Sequence, residues 1–201
     1  MRLKRALTIH EIRNFKPIEL DFTGEWEAAI GKPELTGSWI IWGNSGNGKT
    51  RFALQLAKYL TNFRRVAYNS LEEGLSKTMQ EAIIDTGIGK NFVLLDKEPI
   101  NKLKERLRKR RSPDVILIDS LQYTGLNYAQ YRALKEEFSN KLFVFVSHAD
   151  GREPKGNVAK SIRYDANVKC YIEGYAAYPQ SRYGGGEKYV IWAYGHEKFE
   201  F

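Results

Sequence analysis

The sequence predicts an α/β protein built on a mainly parallel, twisted sheet flanked by helices. Short apolar segments of the buried-strand type recur along the chain, and segments of helical periodicity separate them. Parallel neighbours need a crossover connection, usually a helix, so this alternation favours a parallel sheet over a series of hairpins. The predicted strands are residues 38–42, 65–70, 92–95, 115–119 and 142–146.

The two ends of the chain break this alternation. Residues 1–36 contain two strand candidates, around 5–12 and 18–22, which predict an N-terminal extension of a core spanning 37–201. Near the C-terminus, two alternating segments flank the glycine-rich stretch 179–187 and predict an antiparallel hairpin. Since 201 residues are the length of one α/β domain and no linker divides them, we expect a single domain.

Composition and charge indicate a folded protein with a basic surface. Hydrophobic residues make up 42% and charged residues 28%, which excludes a disordered chain. The 32 Lys and Arg residues against 24 Asp and Glu leave a net charge of +8, which permits a polyanionic partner without establishing one. Part of the excess lies in residues 102–111, which we interpret as a solvated helix face or a subunit contact.

Neither a membrane span nor a disulfide framework is predicted. No apolar run reaches the ~18 residues of a membrane span. The first residues lack the apolar core of a signal peptide, so we expect a cytoplasmic protein. The lone Cys170 excludes an internal disulfide and a multi-cysteine zinc site, and its alternating surroundings predict a buried strand thiol.

Residues 43–50, GNSGNGKT, fit the pattern G-x-x-x-x-G-K-[ST] and carry the main functional signal. The glycines let successive backbone N–H groups point at phosphate oxygens, and the positive end of the following helix adds to this attraction. We expect Lys49 to neutralise β- and γ-phosphate charge and the Thr50 hydroxyl to ligate Mg²⁺. The predicted nucleotide-binding residues are Gly43, Asn44, Ser45, Gly46, Asn47, Gly48, Lys49, Thr50 and Arg51.

A P-loop that uses Mg²⁺ also needs a carboxylate at the end of a neighbouring strand. The segment VILID places Asp119 at the carboxyl edge of the predicted sheet, where open α/β sheets bind ligands. We therefore predict that Asp119 holds the metal, through water, together with Thr50. The N-K-x-D base-recognition pattern of GTPases is absent from the sequence, so we expect ATP as the nucleotide.

Four further segments follow the P-loop in order: YNSLEEG (68–74), LIDSLQY (117–123), VFVSHAD (144–150) and SRYGGG (181–186). Together they resemble the RecA-type core ATPases, in particular the groups of DnaB, RadA and KaiC. The resemblance covers the chain from about residue 36 to its end. It implies a RecA-like fold, hydrolysis of ATP with Mg²⁺, and assembly of copies into a ring or filament such as a hexamer.

The resemblance also assigns roles to individual residues. The glutamate that polarises the attacking water corresponds to Glu72 or Glu73, and the doubled sequence leaves both open. Gln122 corresponds to a coupling residue, and His148 to a γ-phosphate sensor, with a structural histidine as the alternative. Arg182 takes the position of an arginine finger that acts on a neighbour's nucleotide. Glutamine replaces the family's lysine two residues earlier, and an arginine that serves only solubility is the alternative.

RecA-type proteins bind DNA through two loops, which correspond here to residues 121–134 and 149–166. The second is rich in glycine and cations and predicts a mobile segment that binds phosphates of any sequence. Its candidate nucleic-acid residues are Arg152, Lys155, Lys160 and Arg163. The first contributes three tyrosines that either stack on bases or pack: Tyr123, Tyr128 and Tyr131.

The leading hypothesis from the sequence is a Mg²⁺-dependent ATPase that forms homo-oligomers. It would couple hydrolysis to the handling of DNA, single-stranded DNA in particular, in recombination, replication or helicase-like unwinding. The alternative is a nucleotide-dependent assembly switch that acts on a protein partner without DNA. A small-molecule kinase shares the P-loop, but SLEEG and DSLQ fit that activity poorly.

Overall fold

The computed structural model describes residues 5–200, without the side chain of Glu200. Within that range the strands are β1 (Gly37–Gly43), β2 (Val66–Ser70), β3 (Phe92–Asp96), β4 (Val115–Asp119), β5 (Leu142–Asp150), β6 (Glu153–Pro154), β7 (Val168–Glu173), β8 (Ala176–Ser181) and β9 (Tyr189–Val190). The α-helices are α1 (Ile9–Asn14), α2 (Gly24–Ile30), α3 (Lys49–Leu60), α4 (Lys77–Thr86), α5 (Ile100–Leu107), α6 (Tyr128–Glu137), α7 (Asn157–Asp165) and α8 (Ala193–Glu200).

Parallel pairing dominates the sheet. Its strands follow the order β3–β2–β4–β5–β1–β7, all parallel, and β8 and β9 extend this sheet in antiparallel pairing. The predicted parallel α/β sheet with an antiparallel C-terminal extension is therefore confirmed. The register sets Gly43 opposite His148 and Asp119 opposite Val146, so the carboxyl ends of β1, β4 and β5 meet at one edge.

Two hydrophobic cores lie on the two faces of this sheet. Along β1, Trp39 and Ile41 belong to one core and Ile40 and Trp42 to the other, because successive side chains of a strand alternate between faces. Residues of α2, α3 and α4 complete the first core, and residues of α5, α6 and α7 complete the second. Burial on both faces explains why the strands are continuous apolar runs in the sequence.

The N-terminal strands predicted around 5–12 and 18–22 are wrong. Residues 9–14 form the helix α1, which begins with a capping box between Thr8 and Glu11. The second segment contributes only an isolated bridge between Glu19 and Glu34. The helix-start signal of a threonine followed three residues later by a glutamate prevails over the short apolar alternation that suggested a strand.

The C-terminal hairpin is present, but its turn is not the predicted one. Gly174 and Tyr175 join β7 to β8, with φ values of 53° and 57°. The glycine-rich stretch instead follows β8, and a Cβ on Gly185 would lie 2.7 Å from the backbone of Ala29, so this glycine permits close packing on α2. The second predicted strand is reduced to β9 and is followed by α8. None of the helices in residues 5–200 has the length and apolar content to cross a membrane.

Candidate nucleotide site

The P-loop lies between the end of β1 and the start of α3, at the carboxyl edge of the sheet. Gly43 packs directly on β7, since a Cβ there would lie 2.2 Å from the carbonyl oxygen of Ile172. Gly48 has a φ of 93°, in the left-handed region that glycine adopts without strain. The two fixed glycines of the pattern therefore have different causes, a steric one at 43 and a conformational one at 48.

Lys49 begins α3 and folds back over the loop, with its Nζ 2.8 Å from the carbonyl oxygen of Asn44. Burial lowers the pKa of Lys49, and the carboxylates of Asp119 and Glu72 act in the opposite sense. The N-terminus of α3 adds unpaired N–H groups and the positive end of the helix dipole. A partly buried ammonium at such a helix end suits a multiply charged anion.

Asp119 ends β4 and lies opposite Ser70 of β2. Asp119 is 8% exposed, and its Oδ2 accepts a hydrogen bond of 2.5 Å from the Tyr68 hydroxyl. Burial raises the pKa of Asp119, and this effect exceeds that of the Tyr68 hydrogen bond, which lowers it. So poorly solvated a carboxylate gains much from a bound cation.

Oxygen atoms suited to Mg²⁺ converge beside Asp119. The cleft that contains its carboxylate is also lined by Thr50. The buried Ser70 Oγ, at the end of the neighbouring strand, has no hydrogen-bond partner among the described residues. No group of three Asp, Glu, His or Cys side chains within residues 5–200 could form an all-protein metal cage. This donor set fits Mg²⁺, which is usually held by one or two carboxylates together with water and substrate phosphates.

Glu72 follows β2 and reaches across to the ends of β4 and β5. Its Oε2 accepts a hydrogen bond of 3.0 Å from Ser120 Oγ and lies 2.8 Å from His148 Nε2. Burial raises the pKa of Glu72, but the hydrogen bonds to His148 and Ser120 outweigh it, so the pKa lies below the usual value. Glu72 is thus an ionised carboxylate held in one orientation.

Glu73 has different partners. Its carboxylate accepts hydrogen bonds from the hydroxyls of Ser76 and Thr78, which lie at the start of α4. The structure therefore brings Glu72, and not Glu73, to Ser120 and His148.

Gln122 connects this edge of the sheet with the chain beyond β5. Its Nε2 donates to Ser147 Oγ at 2.8 Å and to the carbonyl oxygen of Lys155 at 3.0 Å. Its Oε1 accepts a hydrogen bond of 3.2 Å from the backbone N–H of His148. Gln122 therefore connects the end of β5 with Lys155, and its coupling role stays a prediction.

The P-loop, Glu72, Asp119 and His148 line one cleft of about 700 Å³. This volume lies within the ~300–1,000 Å³ typical of small-molecule sites. Glu73, Lys155 and Tyr175 line the same cleft. No sequence pattern marks Tyr175, because its position depends on the β7–β8 turn, which the sequence did not locate.

Many solved structures match this chain, among them the following two, which superpose on most of it. The flagellar accessory protein FlaH from Methanocaldococcus jannaschii matches with a TM-score of 0.57 and 20% identity, over 78% of this chain and 80% of that chain. A KaiC-like protein from Pyrococcus horikoshii OT3 matches with a TM-score of 0.60 and 16% identity, over 87% of this chain and 93% of that chain. This chain has the RecA-like P-loop ATPase fold. At these identities the likeness concerns the fold. No protein-family model matches the sequence, nor does any curated protein.

Within the RecA-like fold, Arg182 lies far from the P-loop of its own chain. It directly follows β8, whose last residue, Ser181, pairs with Val168 at the start of β7. Val168 in turn pairs with Trp39 of β1, so this end of β8 lies two strands to the side of β1 and four residues, roughly 13 Å along the strand, before Gly43. Arg182 therefore lies at the end of β8 that points away from the P-loop, and its role as an arginine finger stays a prediction.

The segment predicted as a mobile DNA-binding loop is ordered secondary structure in this RecA-like chain. Residues 157–165 form α7, whose Ala159 and Ile162 are buried against the sheet. The helical spacing of these apolar residues prevails over the nearby glycines and proline. The prediction of a loop is therefore wrong for residues 157–165, although the cationic residues remain on this surface.

The four candidate DNA-binding cations are not equally available. Arg152 lies 3.5 Å from a Glu173 carboxylate oxygen, and Arg163 pairs with Glu153. Lys160 is exposed on α7, and Lys155 lines the nucleotide cleft. Two of the four positive charges are thus offset by carboxylates of the same chain.

The three tyrosines predicted to stack on bases also differ in exposure. Tyr131 is fully buried, and its hydroxyl contacts Ser38 Oγ at 2.7 Å and Asp165 Oδ2 at 2.5 Å, so packing is its role. Tyr123 and Tyr128 are 56% and 40% exposed.

Two features outside the cleft match their sequence interpretation. Basic residues of the 102–111 segment pair with carboxylates on the surface: Lys104 and Arg108 with Glu137, and Arg106 with Glu98. Cys170 is buried in β7, and burial raises the pKa of its thiol to about 12.

Proposed function

We propose that this chain is a Mg²⁺-dependent ATPase that forms homo-oligomers in the cytoplasm and couples hydrolysis to the handling of single-stranded DNA. One observation carries the enzymatic part of the proposal. Glu72 is ionised and oriented by Ser120 and His148, and it lines the same cleft as Lys49. A polyphosphate bound by the P-loop would place its terminal phosphate beside a base suited to activating water.

Hydrolysis requires attack by water on the γ-phosphorus. Glu72 accepts a proton from that water as the new P–O bond forms, the bond between the γ-phosphorus and the bridging oxygen breaks, and ADP departs with its electron pair. Lys49 and the N–H groups at the start of α3 stabilise the charge on the phosphate oxygens. Thr50 and Asp119 would hold Mg²⁺, which would neutralise further charge on the phosphates.

Oligomer formation is part of the proposal because of Arg182. The arginine lies at the edge of the sheet opposite its own P-loop, so it completes a nucleotide site only across a boundary between copies. A head-to-tail arrangement of this kind produces rings or filaments.

The enzymatic proposal is tested by measuring ATP turnover of the wild type, Lys49→Ala and Lys109→Ala. Lys109 is an exposed lysine that precedes β4, at the opposite edge of the sheet, so its removal makes the same change of charge away from the cleft. We expect turnover in the wild type and in Lys109→Ala and its loss in Lys49→Ala. Absence of turnover in the wild type would refute the proposal that this chain is an ATPase.

The DNA proposal is tested with the same proteins and single-stranded DNA. We expect DNA to stimulate turnover and to bind with a strong salt dependence. Loss of one phosphate contact in Lys160→Ala should reduce the slope of log affinity against log salt by about 0.7, whereas Lys109→Ala should leave that slope unchanged. Turnover that does not respond to DNA would refute the proposal that hydrolysis is coupled to DNA.

A second candidate is a nucleotide-dependent assembly switch that acts on a protein. The pairing of Arg152 with Glu173 and of Arg163 with Glu153 favours it, because it reduces the positive charge available to DNA. One superposable structure, FlaH, is described as a flagellar accessory protein. ATP-dependent oligomerisation without DNA affinity at low salt would support this candidate over the first.

A further inference from the structure

An aromatic cluster lies beside the P-loop and comes from the last part of the chain. The ring centroids of Tyr175 and Trp192 are 5.0 Å apart, and the rings are nearly perpendicular. The guanidinium of Arg51, in the first turn of α3, lies 5.5 Å from the centroid of the Trp192 ring. Trp192 remains 36% exposed.

A hydrogen bond attaches the turn that carries Tyr175 to the P-loop, and others join this turn to the chain around Trp192. The backbone N–H of Gly174 donates to Asn47 Oδ1 at 2.8 Å, and the backbone N–H of Ile191 donates to the Tyr175 carbonyl at 2.8 Å. On the other side of the turn, His196 Nδ1 lies 2.7 Å from the carbonyl oxygen of Gly174. The turn that carries Tyr175 is therefore fixed to the P-loop on one side and to α8 on the other.

Tyr175 is held in an unfavourable backbone conformation. Its φ of 57° lies in the left-handed region, where a bulky side chain is an outlier. Such conformations cluster at ligand sites, where the surrounding structure enforces them. Here the conformation accompanies a ring that lines the phosphate cleft and lies 3.0 Å from the position of a Cβ on Gly48.

The geometry points to Tyr175 and Trp192, with Arg51, as the site that holds the nucleobase of the bound nucleoside triphosphate. This inference rests on the proposed nucleotide binding at the P-loop. Ring surfaces and a guanidinium plane contact the flat face of a base, and every base has such a face. The cluster therefore recognises the flat face of a nucleobase and not the hydrogen-bonding groups at its edge. It binds adenine and guanine nucleotides with similar affinity.

The test compares the affinities of ATP, GTP and inorganic tripolyphosphate, which has no base, by calorimetry. Tyr175→Asn removes the ring and keeps a residue that tolerates positive φ, and Trp192→Ala removes the second ring. Tyr175→Phe and Trp192→Phe retain a ring, and Tyr164→Ala removes an exposed ring on α7. We expect the ring-deleting variants to bind ATP and GTP roughly 10-fold more weakly and tripolyphosphate as tightly as the wild type does. The three other variants should retain the wild-type affinities.

The remaining outcomes distinguish failure of the nucleobase site from failure of the proposed ATP binding. Unchanged ATP affinity in Tyr175→Asn and Trp192→Ala, with loss of binding in Lys49→Ala, would overturn this inference and leave the proposed function intact. Equal loss of ATP and tripolyphosphate would also overturn it, because the rings would then act through the P-loop. A wild-type preference for ATP over GTP above roughly 100-fold would refute selection by the ring face. A wild type that binds neither ATP nor tripolyphosphate would refute both proposals.

Discussion

His148 Nε2 lies 2.8 Å from Oε2 of Glu72, although the two residues are 76 positions apart in the sequence. The contact joins the end of β5 to the segment after β2 and passes over the end of β4, where Ser120 bonds the same carboxylate oxygen. The orientation of Glu72 is thus determined by residues from two other strands.

Replacing Glu72 by glutamine removes the proton acceptor and preserves the size of the side chain. We expect Glu72→Gln to bind ATP and to hydrolyse it about 100-fold or more slowly, since general-base catalysis contributes about 10²–10⁴-fold. Glu73→Gln is the matched control and should retain most of the turnover, because Glu73 bonds to the start of α4. Single-turnover measurements of phosphate release distinguish the two variants. The reverse pattern would make Glu73 the base.

Glu72 should also make a pH-dependent contribution to stability. Its pKa in the folded chain is lowered from 4.5, so on acidification the unfolded chain takes up this proton first. The contribution is therefore present above pH 4.5 and is lost as the pH falls through the lowered value. We expect the difference in melting temperature between the wild type and Glu72→Gln to decline below pH 4.5. A difference that grows with acid would contradict the direction of the shift.

Asp119 should behave in the opposite way. Burial raises its pKa, so the ionised carboxylate destabilises the fold in the absence of a cation, and this cost increases as the pH rises through the folded pKa. We expect Asp119→Asn to raise the melting temperature by about 2–4 °C, equivalent to about 1 kcal/mol for a chain of this length. The same variant should lose most of the added stabilisation by Mg²⁺ with ATP. Calorimetric melting with and without ligand measures both effects.

Gln122 should couple DNA binding at the 149–156 segment to turnover in the nucleotide cleft. Gln122→Ala removes the hydrogen bonds to His148 N–H and to the Lys155 carbonyl. We expect the ratio of DNA-stimulated to unstimulated turnover to fall towards one. Gln130→Ala is a suitable control, because Gln130 only caps the start of α6. A ratio that stays at the wild-type value would refute transmission through this amide.

Arg182 and Lys49 should complement each other between copies. Lys49→Ala and Arg182→Ala are each expected to lose turnover when assayed alone. In an equal mixture, about a quarter of the head-to-tail interfaces should combine an intact P-loop with an intact arginine, and turnover should recover to about that fraction. A mixture without activity would exclude action on a neighbour's nucleotide.

The strands and the P-loop could be predicted from the sequence because their causes are local. Burial on both faces produces continuous apolar runs, and the positive φ of Gly48 favours glycine, whereas the requirement for glycine at 43 comes from the contact with Ile172 on β7. The different partners of Glu72 and Glu73 had no local cause. Glu72 contacts Ser120 and His148, which only the folded sheet brings near, and its role as the base stays a prediction.

Two errors arose where one local signal outweighed another. Thr8 and Glu11 carry a capping box within a segment whose apolar alternation indicated a strand. Residues 157–165 have helical spacing but adjoin glycines that indicated a loop. The position of Tyr175 had no signal at all, since a tyrosine with positive φ occurs only where tertiary contacts impose it.

The hairpin of β7 and β8 lies along β1 from Trp39 to Gly43. One end, at Gly174 and Tyr175, is bonded to the chain's own P-loop, and the other end leads directly into Arg182. Because β7 is also paired with β1, and β8 with β9, the hairpin cannot move apart from the sheet. The P-loop and Arg182 are therefore held at a fixed spacing by one continuously bonded element.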